Sequence, residues 1–299
     1  MRDIFVETLY QEACENKDIV LITGDLGFRL FDKFSNLLPK QFINTGLTEQ
    51  SMMSVAAGVA STGKRVFVYS IANFSTIRCL EQIRNDVCYM NRSVVAVAVG
   101  AGFAYGTLGY THHATEDLAI MRALPNLDVI SPCDSLETEV VTKMIARSNR
   151  PTYLRLGKTG EQNLHEATPE LQFGSFSPVA KGEDGYIFFT GSVGSLAMQA
   201  KNILRQSNVL VEVISVPFVS NLDENFLLKV NPNLPIIVLE EHFKRGGLGA
   251  AFLEKFNELG ISAKVRQVAA SDEDLAMTGS QDYLRRQRGI SLEVILKAF

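Results

Sequence analysis

Residues 94–99 read Val94-Val95-Ala96-Val97-Ala98-Val99, an apolar run with no polar side chain inside it. A strand with one wet face alternates apolar and polar residues. An unbroken run suits a strand covered on both faces, and such strands belong to parallel sheets flanked by helices. Working outward, shorter β-branched runs of the same kind lie at 19–23, 41–44, 66–70, 127–130 and 152–155, and longer stretches with helical spacing, such as 48–61 and 73–90, separate them. The alternation predicts an α/β domain built on a mostly parallel sheet.

The rhythm breaks across 158–180, where Gly160, Pro169, Gly174 and Pro178 interrupt a stretch with little apolar periodicity. It resumes with runs at 185–190, 209–216, 235–240 and 263–268, and with helical patterns starting at Gly194 and Gly247. At 299 residues the chain exceeds an ordinary domain of about 100–200. Two α/β domains follow, 1–157 and 181–299, each a mostly parallel sheet flanked by helices, with 158–180 as the linker.

Several function classes drop out. A net charge of −4 gives no electrostatic reason to bind nucleic acid or an acidic membrane surface. No uncharged apolar run reaches the roughly 18 residues that a membrane span needs. Asp3 and Glu7 interrupt the apolar N-terminal stretch, unlike a secretion signal. Cys14, Cys79, Cys88 and Cys133 form no CxxC pair, so buried reduced thiols and a cytoplasmic location are expected. No zinc-type spacing appears, and no metal ligand is assigned to this chain. Gly100-Ala101-Gly102 follows a strand but lacks the third glycine of a dinucleotide loop.

Three segments carry chemistry. In Asn44-Thr45-Gly46-Leu47-Thr48-Glu49-Gln50-Ser51-Met52 a strand ends, glycine turns the chain, and Thr48 is placed to cap a helix whose first turn holds Glu49. The small apolar run that follows, 54–60, predicts tight packing around that carboxylate. In the second, Tyr69-Ser70-Ile71-Ala72-Asn73-Phe74 leads from a strand into a loop, followed by Arg78. In the third, Gly106-Thr107-Leu108-Gly109-Tyr110-Thr111-His112-His113 presents two histidines before a helix. Loops at the carboxyl ends of parallel strands are where α/β proteins place ligands.

Taken in order, these segments resemble the pyrimidine-binding half of transketolase-like enzymes. The family pattern runs Gly-x-x-Glu-Gln-x-Met, an aromatic loop, Gly-x-Thr-His-Gln, an acidic helix, then Arg-x-x-Pro-Asn; here it falls on 46–52, 69–78, 109–112 and 116–126. Gly191-Ser192-Val193, Leu239-Glu240-Glu241-His242 and Gly246-Gly247-Leu248-Gly249 are similar to the family's C-terminal domain. The resemblance implies thiamin diphosphate as cofactor. It makes Glu49 the carboxyl that contacts the aminopyrimidine and activates it, and Phe74 the ring stacked on it. Asp25, Leu26 and Arg78 are implied as further cofactor contacts. His112 is implied as a catalytic and substrate-facing group, with His113, Arg155 and Arg29 as substrate contacts; Arg2 aligns less securely with another phosphate-gripping arginine. The family's Gly-Asp-Gly segment for diphosphate and Mg2+ or Ca2+ is not found. A naturally split enzyme is expected over a truncated one. The partner would be an N-terminal transketolase subunit holding the metal, in a heterotetramer whose homodimer core runs through 54–60.

The sequence departs from the family pattern at Leu108, where sugar-transferring members carry an acid, at His113, where they carry Gln, at Ile71, where they carry an aromatic, and at Arg29, where a phosphate-binding serine is expected. The leading expectation is two-carbon ketol transfer between sugars or sugar phosphates. The alternatives are a decarboxylating subunit, of deoxyxylulose-phosphate-synthase or 2-oxo acid dehydrogenase β type, and a non-catalytic scaffold.

Overall fold

A computed structural model describes residues 1–27, 29–158 and 160–299. The first domain is a six-stranded parallel sheet of order β2-β1-β3-β4-β6-β5: β1 (Ile19–Thr23), β2 (Phe42–Asn44), β3 (Arg65–Ile71), β4 (Val94–Val99), β5 (Asp128–Ile130) and β6 (Thr152–Leu156). Every residue of β1, β4, β5 and β6 is buried, the apolar run of β4 as its sequence requires, and Asp128 and Arg155 in β5 and β6 through ion pairs. One face packs on the Glu49–Ala60 helix through Met52, Met53, Ala56 and Ala60, the other on the Arg2–Glu15 helix through Phe5 and Leu9. Strand order reverses at β1, which has β2 on one side and β3 on the other. The crevice outside the carboxyl ends of β1 and β3 is thus a topological switch point, the usual ligand position in open α/β sheets.

The second domain is a five-stranded sheet of order β11-β10-β8-β9-β7: β7 (Ser177–Ala180), β8 (Gly185–Phe189), β9 (Val211–Ser215), β10 (Ile236–Phe243) and β11 (Val265–Ala270). Only β7 runs antiparallel, at the edge on β9. It lies within the stretch read from the sequence as linker. Pro178 tolerates that place because an edge strand needs no ladder bond from every residue. Among the described residues no helix is long and apolar enough to cross a membrane.

The stretch 73–90 does not form the single helix that its spacing suggests. Short turns at Ala72–Ser75, Ile77–Cys79 and Leu80–Gln82 lead into a π-helical segment, Ile83–Tyr89. Thr76 Oγ1 donates to Ala72 O at 2.6 Å and Ser75 Oγ to Ile71 O at 3.4 Å. Hydroxyls that bond back to the main chain compete with a regular helix, and π segments gather at functional sites.

Candidate active site at the switch point

The crevice is assembled from three strand ends. After β1, Thr23 Oγ1 donates to Leu26 O at 3.2 Å, and Asn44 at the end of β2 ties the neighbouring loops: its Oδ1 accepts from Asp25 N at 2.9 Å and from Gly46 N at 3.0 Å. Asp25 is thereby held at φ 53 and Gly46 at φ 73, the left-handed region that glycine enters freely. Glu49 then opens its helix. Thr48 takes the N-cap position, but its hydroxyl donates back to Thr45 O at 3.0 Å and does not cap the helix, contrary to the sequence expectation.

Glu49 is 7% exposed, and Arg78 Nη1 sits 3.0 Å from its Oε2. The Arg78 guanidinium also lies over the Phe74 ring, 4.3 Å from the centroid. His112 also meets that ring, edge-on at 5.3 Å. Asn73 Nδ2 donates to Thr111 O at 3.1 Å, joining the loop after β3 to the loop after β4. Thr111 Oγ1 lies 3.0 Å from His112 Nδ1, so the hydroxyl steadies the imidazole. Glu49, Arg78, Phe74 and His112 therefore form one continuous contact, with Asp25 and Leu26 on the adjacent loop. Asn73 Oδ1 is buried beside it with no hydrogen-bond partner among the described residues. Unpaired buried acceptors cost about 1–3 kcal/mol each, so this rim is suited to receiving donors from outside the chain. Sequence reasoning missed Asn73; its place one residue before Phe74 was the available signal.

Arg29 belongs to a neighbouring cavity of about 410 Å3, where Arg2, Leu26, Tyr69 and Tyr105 also line the wall. Two arginines and two phenols facing one space favour an anionic group.

Two expected substrate contacts lie elsewhere. His113 is 1% exposed and turns away from His112: it packs edge-on to Phe103 at 5.3 Å, and its Nε2 is 3.3 Å from Gly106 O. Burial lowers its pKa. Arg155 is also 1% exposed and already committed: Nε reaches Asp117 Oδ2 at 2.7 Å, and Nη2 reaches Ala114 O at 2.8 Å and Glu241 O at 2.9 Å. Tyr153 donates to the same Asp117 carboxylate at 2.6 Å. Arg155 fastens the two domains through Nε and Nη2, inside the junction and away from the crevice that holds Glu49.

The 239–242 motif serves the same junction. Glu241 Oε1 accepts from Phe103 N at 2.6 Å, and its Oε2 pairs with Arg285 at 2.5 Å. Glu240 accepts from the N–H groups of Leu248 and Gly249 at 2.6 and 2.9 Å. A Cβ on Gly247 would sit 2.2 Å from Glu240 Oε2, which explains the glycine there.

The transketolase pyrimidine-binding domain model matches residues 1–161, and the transketolase C-terminal domain model matches 174–295. The chain belongs to the transketolase family. An apulose-4-phosphate transketolase subunit of Phocaeicola vulgatus is 32% identical to this transketolase-family chain, covering 99% of it and 95% of the relative. The 6-deoxy-6-sulfo-D-fructose transketolase subunit SqwH of a Clostridium species is 29% identical, over 100% of this chain and 92% of the relative. A solved structure described as a split gene transketolase, inactive beta4 tetramer, superimposes with a TM-score of 0.88 at 29% identity, over 99% of this chain and 95% of that one.

Proposed function

We propose that this chain is the C-terminal subunit of a two-chain, thiamin-diphosphate-dependent transketolase that moves a two-carbon ketol unit between sugar or sugar-phosphate substrates. The observation that carries the reading is Glu49: a buried carboxylate at the switch point, one residue layer from Phe74 and His112. The relatives, one named as a transketolase subunit and one described as a split gene transketolase, support a second chain. In this reading the N-terminal subunit holds the diphosphate with Mg2+ or Ca2+.

The residues fit the cofactor's pyrimidine half. The cofactor, when bound, supplies the carbon nucleophile that makes and breaks the ketol carbon–carbon bond. Glu49 would hydrogen-bond the pyrimidine ring and hold a proton there, a general acid–base role worth on the order of 10²–10⁴ in rate. Phe74 would bear on the ring face, with Asp25 and Leu26 beside it. Arg78 occupies that face here, so it moves aside or shifts along Glu49 when the ring enters. His112, with Nδ1 engaged by Thr111, would hold a proton at Nε2 for the substrate oxygen. Arg2 and Arg29 would take an anionic end of the substrate in their shared cavity.

The outer face of the Glu49–Ala60 helix supports pairing with a second copy within a heterotetramer. Ala56, Ala57 and Ala60 pack inward, while Val55 on the helix and Leu47 just before it are exposed, as are Ile77, Tyr89 and Met90. An apolar group of that kind marks an interaction surface.

The two relatives are named for different sugars at similar identity, and Leu108 stands exposed in the loop before His112. The substrate is therefore decided by experiment. The test reconstitutes this chain with the N-terminal subunit and assays ketol transfer from a ketose phosphate to a panel of aldoses, beside carbon dioxide release from pyruvate. Transfer that needs both chains and thiamin diphosphate is expected. Carbon dioxide release without transfer would establish the decarboxylating alternative, and cofactor-independent activity would end the reading altogether.

A further inference from the structure

A second buried polar cluster lies where the first domain, the connecting segment and the second sheet meet. Cys133 and Asp134 precede the Ser135–Ala146 helix, Glu137 sits in its first turn, and His165 comes from the connecting segment. The sulfur of Cys133, a carboxylate oxygen of Glu137 and a ring nitrogen of His165 all lie within 4.8 Å of one another. Glu137 Oε2 accepts from Cys133 N at 2.8 Å, but Oε1, fully buried, has no hydrogen-bond partner among the described residues. Ser215 Oγ on β9 is orphaned in the same way.

The imidazole is already oriented. His165 Nδ1 lies 2.8 Å from Asp134 Oδ2, which also accepts from the N–H groups of Leu164 and His165 at 2.9 and 3.0 Å. Asp134 can only accept in that setting, so Nδ1 carries the ring proton. Nε2 faces Ser177 Oγ at 2.8 Å and Glu137 Oε1 at 3.6 Å. A cation between Nε2 and the unpartnered Glu137 Oε1 would be held by both once Ser177 turns its hydroxyl aside. An imidazole whose second nitrogen is held by a carboxylate is also how proteins fix a metal-ligating histidine.

We propose that Cys133, Glu137 and His165 form a binding site for a tetrahedral transition-metal ion of the zinc class, which fastens the connecting segment to the first domain. Zinc ligands at about 2.0–2.3 Å from the ion lie roughly 3.3–3.8 Å from each other, so the observed group needs only a small contraction. Ser215 Oγ or a water completes four-coordination. Thiolate, imidazole and carboxylate together favour zinc-like ions over Mg2+, which separates this site from the ion of the cofactor. The Cys133 proton leaves to solvent as the metal–sulfur bond forms. A cavity of about 300 Å3, lined by Glu161, Gln162 and Gln281, reaches Cys133 and offers a way in.

The spacing of these residues, four apart and then twenty-eight, resembles no zinc motif, which is why the sequence assigned no metal to the chain. The probe is Co2+ added to the chelator-stripped full chain. One equivalent should bind with a sulfur-to-cobalt charge-transfer band and tetrahedral visible bands, and Zn2+ should displace it. Cys133→Ser should remove the charge-transfer band, and Asp134→Asn should weaken binding by about 10–100-fold, since the carboxylate only positions the imidazole. A second measurement needs no variant: Zn2+ should slow alkylation of Cys133 and leave that of the exposed Cys14 unchanged. A cobalt spectrum without the sulfur band, a band that survives Cys133→Ser, or equal alkylation of Cys133 with and without Zn2+ would each overturn the site.

Discussion

The crevice at the switch point and the junction between the domains use the same residue types in opposite ways. At the junction Arg155 and Asp117 are both at most 1% exposed, and Arg155, Asp117 and Glu241 all have partners from their own chain. In the crevice, among the described residues, Glu49 pairs only with the half-exposed Arg78, and Asn73 Oδ1 has no partner. A saturated buried network holds one arrangement and has nothing left to offer a ligand. An under-satisfied one at a sheet's carboxyl edge is organised for something to arrive. Burial of a charged residue therefore does not by itself mark a site: Arg155 is more buried than Glu49 and reads as structure, because its Nε and Nη2 already bond Asp117, Ala114 and Glu241.

The sharpest break between the two regions is expected from Glu49→Gln. The amide keeps the shape and the contact with Arg78 is weakened only at a surface-facing partner, so the fold and its thermal midpoint should hardly change. The kcat of the reconstituted enzyme should fall by on the order of 10²–10⁴. A variant that kept wild-type turnover would remove Glu49 from the chemistry. Next, Asp117→Ala should do the reverse: it leaves the Arg155 guanidinium buried without its counter-charge, a loss of about 3–5 kcal/mol, read as a lower urea midpoint for the chain alone. If Asp117→Ala unfolded no more easily than the unmodified chain, the junction would not be the rigid half of the comparison.

A smaller effect belongs between the two regions. Arg29→Ala empties one side of the cavity that Arg2, Tyr69 and Tyr105 share. Hydrogen bonds to charged groups contribute about 1.5–3 kcal/mol, so the KM for a phosphorylated substrate should rise roughly 10- to 100-fold, with little change for an unphosphorylated one. An equal rise for both would show that Arg29 shapes the loop and meets no anion.

The sequence made β1 and β4 legible to the residue, because unbroken β-branched runs have few other uses in a chain of this composition. It also brought Glu49, Phe74 and His112 to one place, since each follows a strand end and parallel strands deliver their ends to one edge. Arg78 lies four residues after Phe74, and its guanidinium reaches back over the ring although a break at Thr76 separates the two short turns that carry them. What sequence could not give was direction. His112 and His113 are neighbours, yet one faces the crevice and the other the junction, because a loop has no period to say which way a side chain points. Arg155 ends an all-buried strand, where no alternation separates a ligand from a tie. His165 of the connecting segment meets Asp134 across thirty-one residues, a contact that only the packed fold creates.

The least effect is expected from His113, and it sharpens the assignment of that residue to the junction. Burial holds its pKa below the ordinary 6.5, so the folded chain favours the neutral ring more than the unfolded chain does. Between the lowered value and 6.5 the unfolded state binds more protons, and stability therefore rises with pH there and declines as pH falls below about 6.5. His113→Asn keeps a polar group near Gly106 O but removes the titration. The variant should be somewhat less stable than the unmodified chain near pH 8, from lost contact with Phe103, and the gap should narrow as the pH drops toward about 5.5. Urea midpoints of both proteins at the two pH values give the comparison directly, because every other titrating group is common to them and cancels. A gap that widened on acidification would mean that His113 gains a charge partner in the folded chain, and would move it back toward the ligand-facing side of the loop.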